Sequence, residues 1–346
     1  MPETQHRIVE NKTEIESHIK MGSHSEIETD LQENRNVLLD ENAIQRLIGG
    51  IRRELNRVLL GKPQVVEYLL ASLLARGHVL FDDLPGLGKT TLAKGLARSV
   101  GGMFKRVQCT PDLLPSDVTG FNILNQKTRD FEFRAGPIFS DILLADEINR
   151  ATPRTQSALF EAMAERQVTI DGVPQALSET FLVLATQNPI ESVGAYPLPE
   201  AQLDRFAMKL RIGYPDRASE LELLARSSSS AEEVAAEPVL RTGELAALQR
   251  SVSRVAVSAS VREYLLDLAQ ATRRSPHFPL GLSPRGVLQW QRVAQGYALL
   301  QDRWFVIPED IQGVAVPVLS VRMTGMSASA EQGVASVISQ VAVPKL

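Results

Sequence analysis

Residues 83–90 read Asp-Leu-Pro-Gly-Leu-Gly-Lys-Thr and stand between a short apolar run and a helical pattern. Gly86 and Gly88 carry no side chain, so the backbone there can wrap a triphosphate. The amides around them, with the start of the following helix, supply positive potential. Lys89 is spaced to reach the β- and γ-phosphates, and the Thr90 hydroxyl to ligate Mg2+. Pro85, Leu87 and Thr91 complete the expected ATP cradle. Asp83 stands where such loops usually carry their first glycine, so the formal pattern is broken there. The plainer alternative is a glycine-rich turn ahead of an ordinary helix, and the coincidence of strand, Gly-Lys-Thr and helix argues against it.

A second constellation follows at residues 142–147, where Ile-Leu-Leu-Ala ends in Asp146 and Glu147. A buried strand would set its terminal carboxylate beside the phosphate loop. Asp146 would then hold Mg2+ through water, and Glu147 would orient or deprotonate the attacking water. Adjacent acids also open many helices. The pair gains its meaning from Lys89 and Thr90 upstream and from the apolar strand before it.

These groups need a scaffold, and the apolar spacing outlines one. Ile44, Leu47, Ile48 and Ile51, then Val65, Leu69, Leu70, Leu73 and Leu74, recur at helical intervals, with Pro63 placed to open the second helix. The period then changes. Residues 79–81, 106–108, 142–145 and 181–185 are short strand-like runs, each followed by a loop or helix. Residues 90–100 form a helix with Leu92, Ala93, Leu96 and Ala97 inward. Apolar runs alternating with helices imply a parallel sheet covered on both faces, with ligands at the carboxyl ends of its strands. Beyond Asp216, a small-residue and acidic stretch at 227–238 leads into helical patterns through Val261, Leu265 and Leu268, and through Val287, Trp290, Ala294 and Tyr297. The expected division is a disordered or weakly helical tail at residues 1–40, an α/β P-loop core at 41–215, and a smaller all-helical lid with the C-terminal segment at 216–346.

The composition bounds the function. A chain of 346 residues, 44% hydrophobic and 23% charged, is an ordinary globular protein of about two domains. Its single cysteine, Cys109, excludes an intrachain disulfide and fits a reducing compartment. The formal net charge of -4 gives no broad basic field for nucleic acid. Residues 1–36 lack an apolar signal core, and the longest apolar stretch, residues 65–81, is interrupted by Glu67, Arg76, Gly77 and His78. A cytoplasmic protein without a membrane span is expected. His6, His18, His24, His78 and His277 show no ligand spacing.

With these motifs in hand, the chain resembles the MoxR family of AAA+ ATPases. The resemblance is carried by QCTPDLLPSDVTG at 108–120, DEINRA at 146–151, TQSALFEAMAERQVTID at 155–171, ATQNP at 185–189, YPLPEAQLDRF at 196–206 and Ser283-Pro284-Arg285. These stretches run in family order from about residue 45 to residue 323. The resemblance implies an AAA+ P-loop core with a five-stranded parallel sheet and a helical lid. It implies that Asn188 is the sensor 1 group placing the lytic water, and that Arg205 is an arginine finger reaching the γ-phosphate of the adjacent subunit. Arg285 would be sensor 2 on the lid, and Leu60 and Gly61 would border the adenine.

Each role has a plainer counterpart: a turn asparagine before Pro189, a surface arginine paired with Asp204, an arginine in a first helical turn, and a simple helix–helix turn. The resemblance also identifies residues 121–136 and 166–180 as hairpin insertions facing a pore or partner, or else solvent. Asp171-Gly172 is a suitable turn for the second. Lys62, Ile307 and Val321 depart from residues common in the family (Gln, Thr and His), and none removes a proposed catalytic group.

The expected function is binding and hydrolysis of Mg-ATP at the subunit interfaces of an oligomeric ring, with a hexamer implied by the family. The output would be chaperone-like remodelling or activation of a protein partner carrying a von Willebrand factor A-type domain. Two alternatives stand beside it. A nucleic-acid motor shares the core, but the acidic balance weighs against phosphate-backbone binding. A nucleotide-gated scaffold would bind ATP without useful turnover, and the presence of Glu147 and Arg205 weighs against it.

Overall fold

The computed structural model describes residues 39–188, 196–228, 236–278, 281–323 and 327–345. The expected tail thus lies outside the described residues except for its last two, as do Pro189 and residues 229–235 of the acidic stretch.

Helix α1 (Glu41–Val58) begins at Asp40, whose carboxylate accepts from the Ala43 amide at 2.6 Å. It buries Ile44, Leu47, Ile48, Ile51 and Leu55 along one stripe. Helix α2 (Pro63–Leu74) opens on Pro63 and is buried almost all round, from Val65 and Val66 to Leu73 and Leu74. A helix apolar on every side needs cover on every side. Strand β1 (His78–Asp82), helix α3 (Lys89–Ser99), strand β2 (Phe104–Gln108) and the short helix α4 (Pro115–Thr119) follow. Then come the hairpin β3 (Gly120–Leu124) and β4 (Phe131–Ala135), strand β5 (Ile142–Asp146), a single 3₁₀ turn at Ile148–Arg150, and helix α5 (Pro153–Glu165). A second hairpin, β6 (Gln167–Ile170) and β7 (Val173–Ala176), precedes β8 (Leu182–Gln187), α6 (Glu200–Leu203) and β9 (Phe206–Leu210). Asp171 and Gly172 both have positive φ, 49° and 82°, as a primed hairpin turn requires.

The five long strands form one parallel sheet in the order β2-β5-β8-β1-β9. The interior strands alternate in the manner of a sheet covered on both faces. Val79, Phe81, Ile142, Leu144, Leu182 and Leu184 enter one apolar cluster, while Leu80, Leu143, Ala145, Val183 and Ala185 enter another. The fifth strand, Phe206–Leu210, was not marked by an apolar run, because Lys209 interrupts it.

Helices α7 (Arg217–Ser228), α8 (Glu244–Ser251), α9 (Ala259–Arg274), α10 (Pro284–Leu300), α11 (Pro308–Gly313), α12 (Ala315–Leu319) and α13 (Ser327–Ser339) complete the chain. Trp290 on α10 is fully buried, and its Nε1 donates to the Ile311 carbonyl at 3.0 Å. Among the described residues the helical part shares its core with the sheet. Trp290, Val293 and Ala294 share one cluster with α2 and one face of the sheet. At Gly296 a Cβ would come within 2.9 Å of the Ala71 carbonyl oxygen, so a glycine lets α10 approach α2 closely. Ile307 supplies no cap to α11, but Asp310 accepts from the Ile307 amide at 2.9 Å and pairs with Arg303. No helix among the described residues is long and apolar enough to cross a membrane.

His78 opens β1 in a fully buried position. Its Nδ1 accepts from the Val183 amide at 2.9 Å, and its Nε2 donates to the Met163 carbonyl at 3.1 Å. Burial disfavours the charged ring, Arg166 and Arg285 repel it, and the pKa falls to about 3. The folded value lies below the unfolded value of 6.5, so the associated stability is complete above pH 6.5 and is lost as pH falls toward 3. Between pH 7 and pH 5 the protein is expected to lose about 2 kcal/mol more unfolding free energy than a His78→Gln variant. Denaturant titrations at the two pH values check this, and equal losses in both proteins would refute it.

Candidate nucleotide site

The parallel sheet presents an open cleft of about 380 Å³ at its carboxyl rim. Pro85, Gly86, Gly88, Lys89, Thr90 and Thr91 line one side, and Asp146, Glu147 and Asn188 line the other. Gly86 and Gly88 have φ of 82° and 87°, which glycine adopts at no steric cost. Nothing lies within 4 Å of a Cβ built at Gly86, so its left-handed backbone is the feature that calls for glycine there. Leu87 turns away from the cleft and packs against the core. Lys89 Nζ donates to the carbonyls of Asp83 and Leu84 at 2.6 and 2.8 Å. Burial lowers its pKa, and Asp83, Asp146, Asp82 and Glu147 oppose that shift.

Strand β8 lies between β1 and β5, so one strand separates the phosphate loop from the two acids. Thr186, on that strand, bridges the gap. Its hydroxyl donates to Asp146 Oδ1 at 2.6 Å and accepts from the Glu147 amide at 2.8 Å. Glu147 is held at φ 56°, in the left-handed region that a non-glycine residue rarely occupies. Its carboxylate accepts from Arg150 at 3.1 Å. Asp146 Oδ2 accepts from Arg106 Nη2 at 2.6 Å. Thr186 and Arg106 escaped the sequence reading, although the ATQNP motif contains the first and a strand-like run the second. Cys109 lies beneath the acids, and burial, then Asp146 and Glu147, push its thiol up to about 12, so it is no nucleophile.

Among the described residues no group of three or more His, Cys, Asp or Glu side chains can hold a metal ion. Thr90 and Asp146 do line the same cleft. One hydroxyl and one carboxylate suit Mg2+, which completes its shell with phosphate and water oxygens.

Asp83 explains why the missing first glycine is tolerated. Its φ is not among the positive values, so any residue fits its backbone. Its carboxylate accepts from the amides of Ile212 and Gly213, beyond the end of β9, and so ties the phosphate loop to the start of the helical part. The Leu59–Gly61 turn abuts the same loop: Leu59 Cδ1 stands 3.2 Å from a Cβ built at Gly88. Leu60 and Gly61 are not in the phosphate cleft, and Gly61 instead lines a neighbouring cavity of about 480 Å³ with Lys62, Lys209 and Arg211. At Gly61, φ is 70° and a Cβ would meet Ser219 Oγ at 2.4 Å.

The other two expected groups lie elsewhere. Phe206 pairs with His78, at the amino ends of β9 and β1, so Arg205 sits at the opposite rim of the sheet. The strand length puts it roughly 15 Å from the phosphate loop. Arg205 Nη1 donates to the Phe160 carbonyl at 3.0 Å, and its buried Nε has no hydrogen-bond partner. Asp204 pairs with Arg322 rather than with Arg205. Arg285, in the first turn of α10, acts on His78 at the same rim. Neither arginine lines the cleft of its own chain.

Residues 78–208 match the family model for ATPases associated with various cellular activities, and residues 270–341 match the AAA lid domain. Sheet order, phosphate loop and lid together define the fold of an AAA+ ATPase. The chain is 41% identical over 279 residues to Chaperone MoxR1 of Mycobacterium tuberculosis, spanning 78% of this chain and 74% of that one. It is 51% identical over 277 residues to the uncharacterized protein YeaC of Bacillus subtilis, spanning 80% and 87% of the two. The crystal structure of a candidate ATPase from Cytophaga hutchinsonii has a TM-score of 0.80 at 36% identity, covering 92% of this chain and 99% of that one. The chain belongs to the MoxR family of AAA+ ATPases.

Removing the Asp83 carboxylate leaves the Ile212 and Gly213 amides without their acceptor. Asp83→Ala is expected to lower stability by about 2–4 kcal/mol. In a urea titration the midpoint should fall with an unchanged slope, and an unmoved midpoint would show that these bonds contribute nothing net.

Proposed function

We propose that the protein binds Mg-ATP in the carboxyl-rim cleft and hydrolyses it at the interfaces of a hexameric ring. The observation that carries this reading is the split arrangement of charge. Lys89, Thr90, Asp146 and Glu147 line one cleft, while Arg205 stands at the far rim of the sheet, outside its own chain's cleft.

The amides around Gly86 and Gly88 would cradle the phosphates, and Lys89 would exchange its two carbonyl partners for the β- and γ-phosphate oxygens. The base would lie toward the Leu59–Gly61 turn, which borders the loop. Thr90 and Asp146 would hold Mg2+, which when bound neutralises charge on the β- and γ-oxygens. Asp146 would have to release Arg106 to do so. Glu147, its amide fixed by Thr186, would take the proton of the attacking water, with Asn188 helping to place that water. Arg205 of the adjacent subunit would stabilise charge on the transferring phosphoryl group. Asp83 links the phosphate loop to the segment that leads into the lid, so nucleotide state would be felt there.

The output would be chaperone-like remodelling or activation of a protein with a von Willebrand factor A-type domain. The name of the Mycobacterium tuberculosis relative supports the chaperone-like part of this reading, and the family resemblance alone suggests the partner domain.

Lys89→Ala and Glu147→Ala are each expected to abolish turnover, and Arg205→Ala to lower it about 10³-fold while leaving ATP binding intact. Mixing Arg205→Ala with Glu147→Ala subunits should restore part of the activity, because some interfaces then pair an intact cleft with an intact finger. Steady-state phosphate release checks both statements. Full activity of the Lys89 and Glu147 variants would overturn the site, and full activity of the Arg205 variant would overturn the finger.

A further inference from the structure

Asp204 directly precedes Arg205, and its carboxylate is the meeting point of three chain segments. Oδ1 accepts from Arg322 Nε at 2.8 Å, with Nη2 of the same guanidinium at 2.7 Å. Oδ2 accepts from the Ser283 hydroxyl at 2.8 Å. That hydroxyl in turn accepts from the Gly286 amide at 2.9 Å and so caps α10, the helix whose first turn carries Arg285. Arg322 is held from behind as well, with Nη1 donating to the Val318 carbonyl at 2.9 Å. Gly286 leaves it room, since a Cβ there would come within 3.0 Å of Arg322 Nη2. Arg322 is only 7% exposed, too dry a place for an unpaired guanidinium.

We propose that Asp204, with Arg322 and Ser283, is the positioning unit that sets Arg205 and Arg285 at a fixed spacing on the rim facing the next subunit's triphosphate. The proposal rests on the reading of Arg205 as a finger acting in trans. The physical need is plain. Arg205 is anchored through Nη1 on the Phe160 carbonyl, and its buried Nε has no hydrogen-bond partner. A long side chain with one anchor takes its aim from the backbone beneath it, which is held by the Arg205 amide on the Gln202 carbonyl at 3.1 Å and, one residue before, by the Asp204 carboxylate. The same carboxylate fixes the start of α10 through Ser283, so a shift of the lid would carry Arg285 and disturb Arg205 together. Misplacing a reacting group by about 1 Å can lower a rate roughly 10²-fold.

The test is Asp204→Asn, which keeps shape and removes charge. Phosphate release is expected to fall about 10- to 100-fold in rings of the variant alone. The affinity for a fluorescent ATP analogue should stay within about twofold, because Asp204 lies at the rim away from its own cleft. Mixing the variant with Glu147→Ala subunits should restore activity as it does for Arg205→Ala, which a general loss of structure would not allow. Should Asp204→Asn fail to assemble on size exclusion, the double variant Asp204→Asn with Arg322→Met, which removes the buried cation with its partner, is measured instead, and the same outcomes are expected. Wild-type turnover in these variants, while Arg205→Ala is inactive, would overturn the proposal and leave the finger standing. A loss that mixing does not restore, or that comes with weakened nucleotide binding, would also overturn it. Wild-type turnover in Arg205→Ala would instead remove the reading beneath it.

Discussion

Five strands running the same way give a sheet two unlike rims, and the rest of the molecule is arranged around that polarity. The carboxyl rim gathers the phosphate loop after β1, the acids at the end of β5 and the polar residues at the end of β8. The amino rim gathers His78, Arg205, Arg285 and the Asp204–Arg322 pair. A strand of five residues keeps the two groups roughly 15 Å apart, beyond the reach of any side chain. In the proposed reaction, groups from the two rims would have to come from two molecules.

The insertion of β8 between β1 and β5 sets a second constraint. It moves the acids one strand away from the phosphate loop, and the open cleft lies between them. It also leaves the acids needing a support, and Thr186 supplies it to both at once. Glu147 is kept in a left-handed backbone by that support and by the following 3₁₀ turn. Local strain of this kind persists where surrounding bonds over-determine it. The carboxylates of Asp82 and Asp83 do comparable work on the other side. Asp82 pairs with Arg211 and Asp83 holds the amides of Ile212 and Gly213, so the phosphate loop is joined to the segment leaving β9.

The lid is bound to the core by burial as well as by these polar links. Helix α2 is sandwiched between the sheet and α10, and one apolar cluster runs through all three. Such a contact resists hinging and favours small shifts of packed helices. At the amino rim Ser283 and Arg322 reach the residue before Arg205 directly.

Much of what is contiguous in the chain was readable in the sequence. The phosphate loop, the Asp146–Glu147 pair, the hairpin turn at Asp171-Gly172 and the two lid helices through Leu265 and Trp290 each declare themselves within a few residues, because backbone geometry and apolar period are local properties. Cleft residues from Pro85 to Thr91, other than Leu87, lie in the order their spacing implies. The fifth strand was hidden because Lys209 breaks its apolar run. The long-range pairs were hidden for a deeper reason. Thr186 with Asp146, Asp83 with Gly213, and Asp204 with Arg322 are separated by 40, 130 and 118 positions. Only the order of strands and the docking of the lid bring them together, and neither is encoded in local spacing. The sequence thus determined which chemical groups the protein owns, while the tertiary structure decided which rim each one occupies, because strand direction and strand order are settled by the packing of the whole sheet.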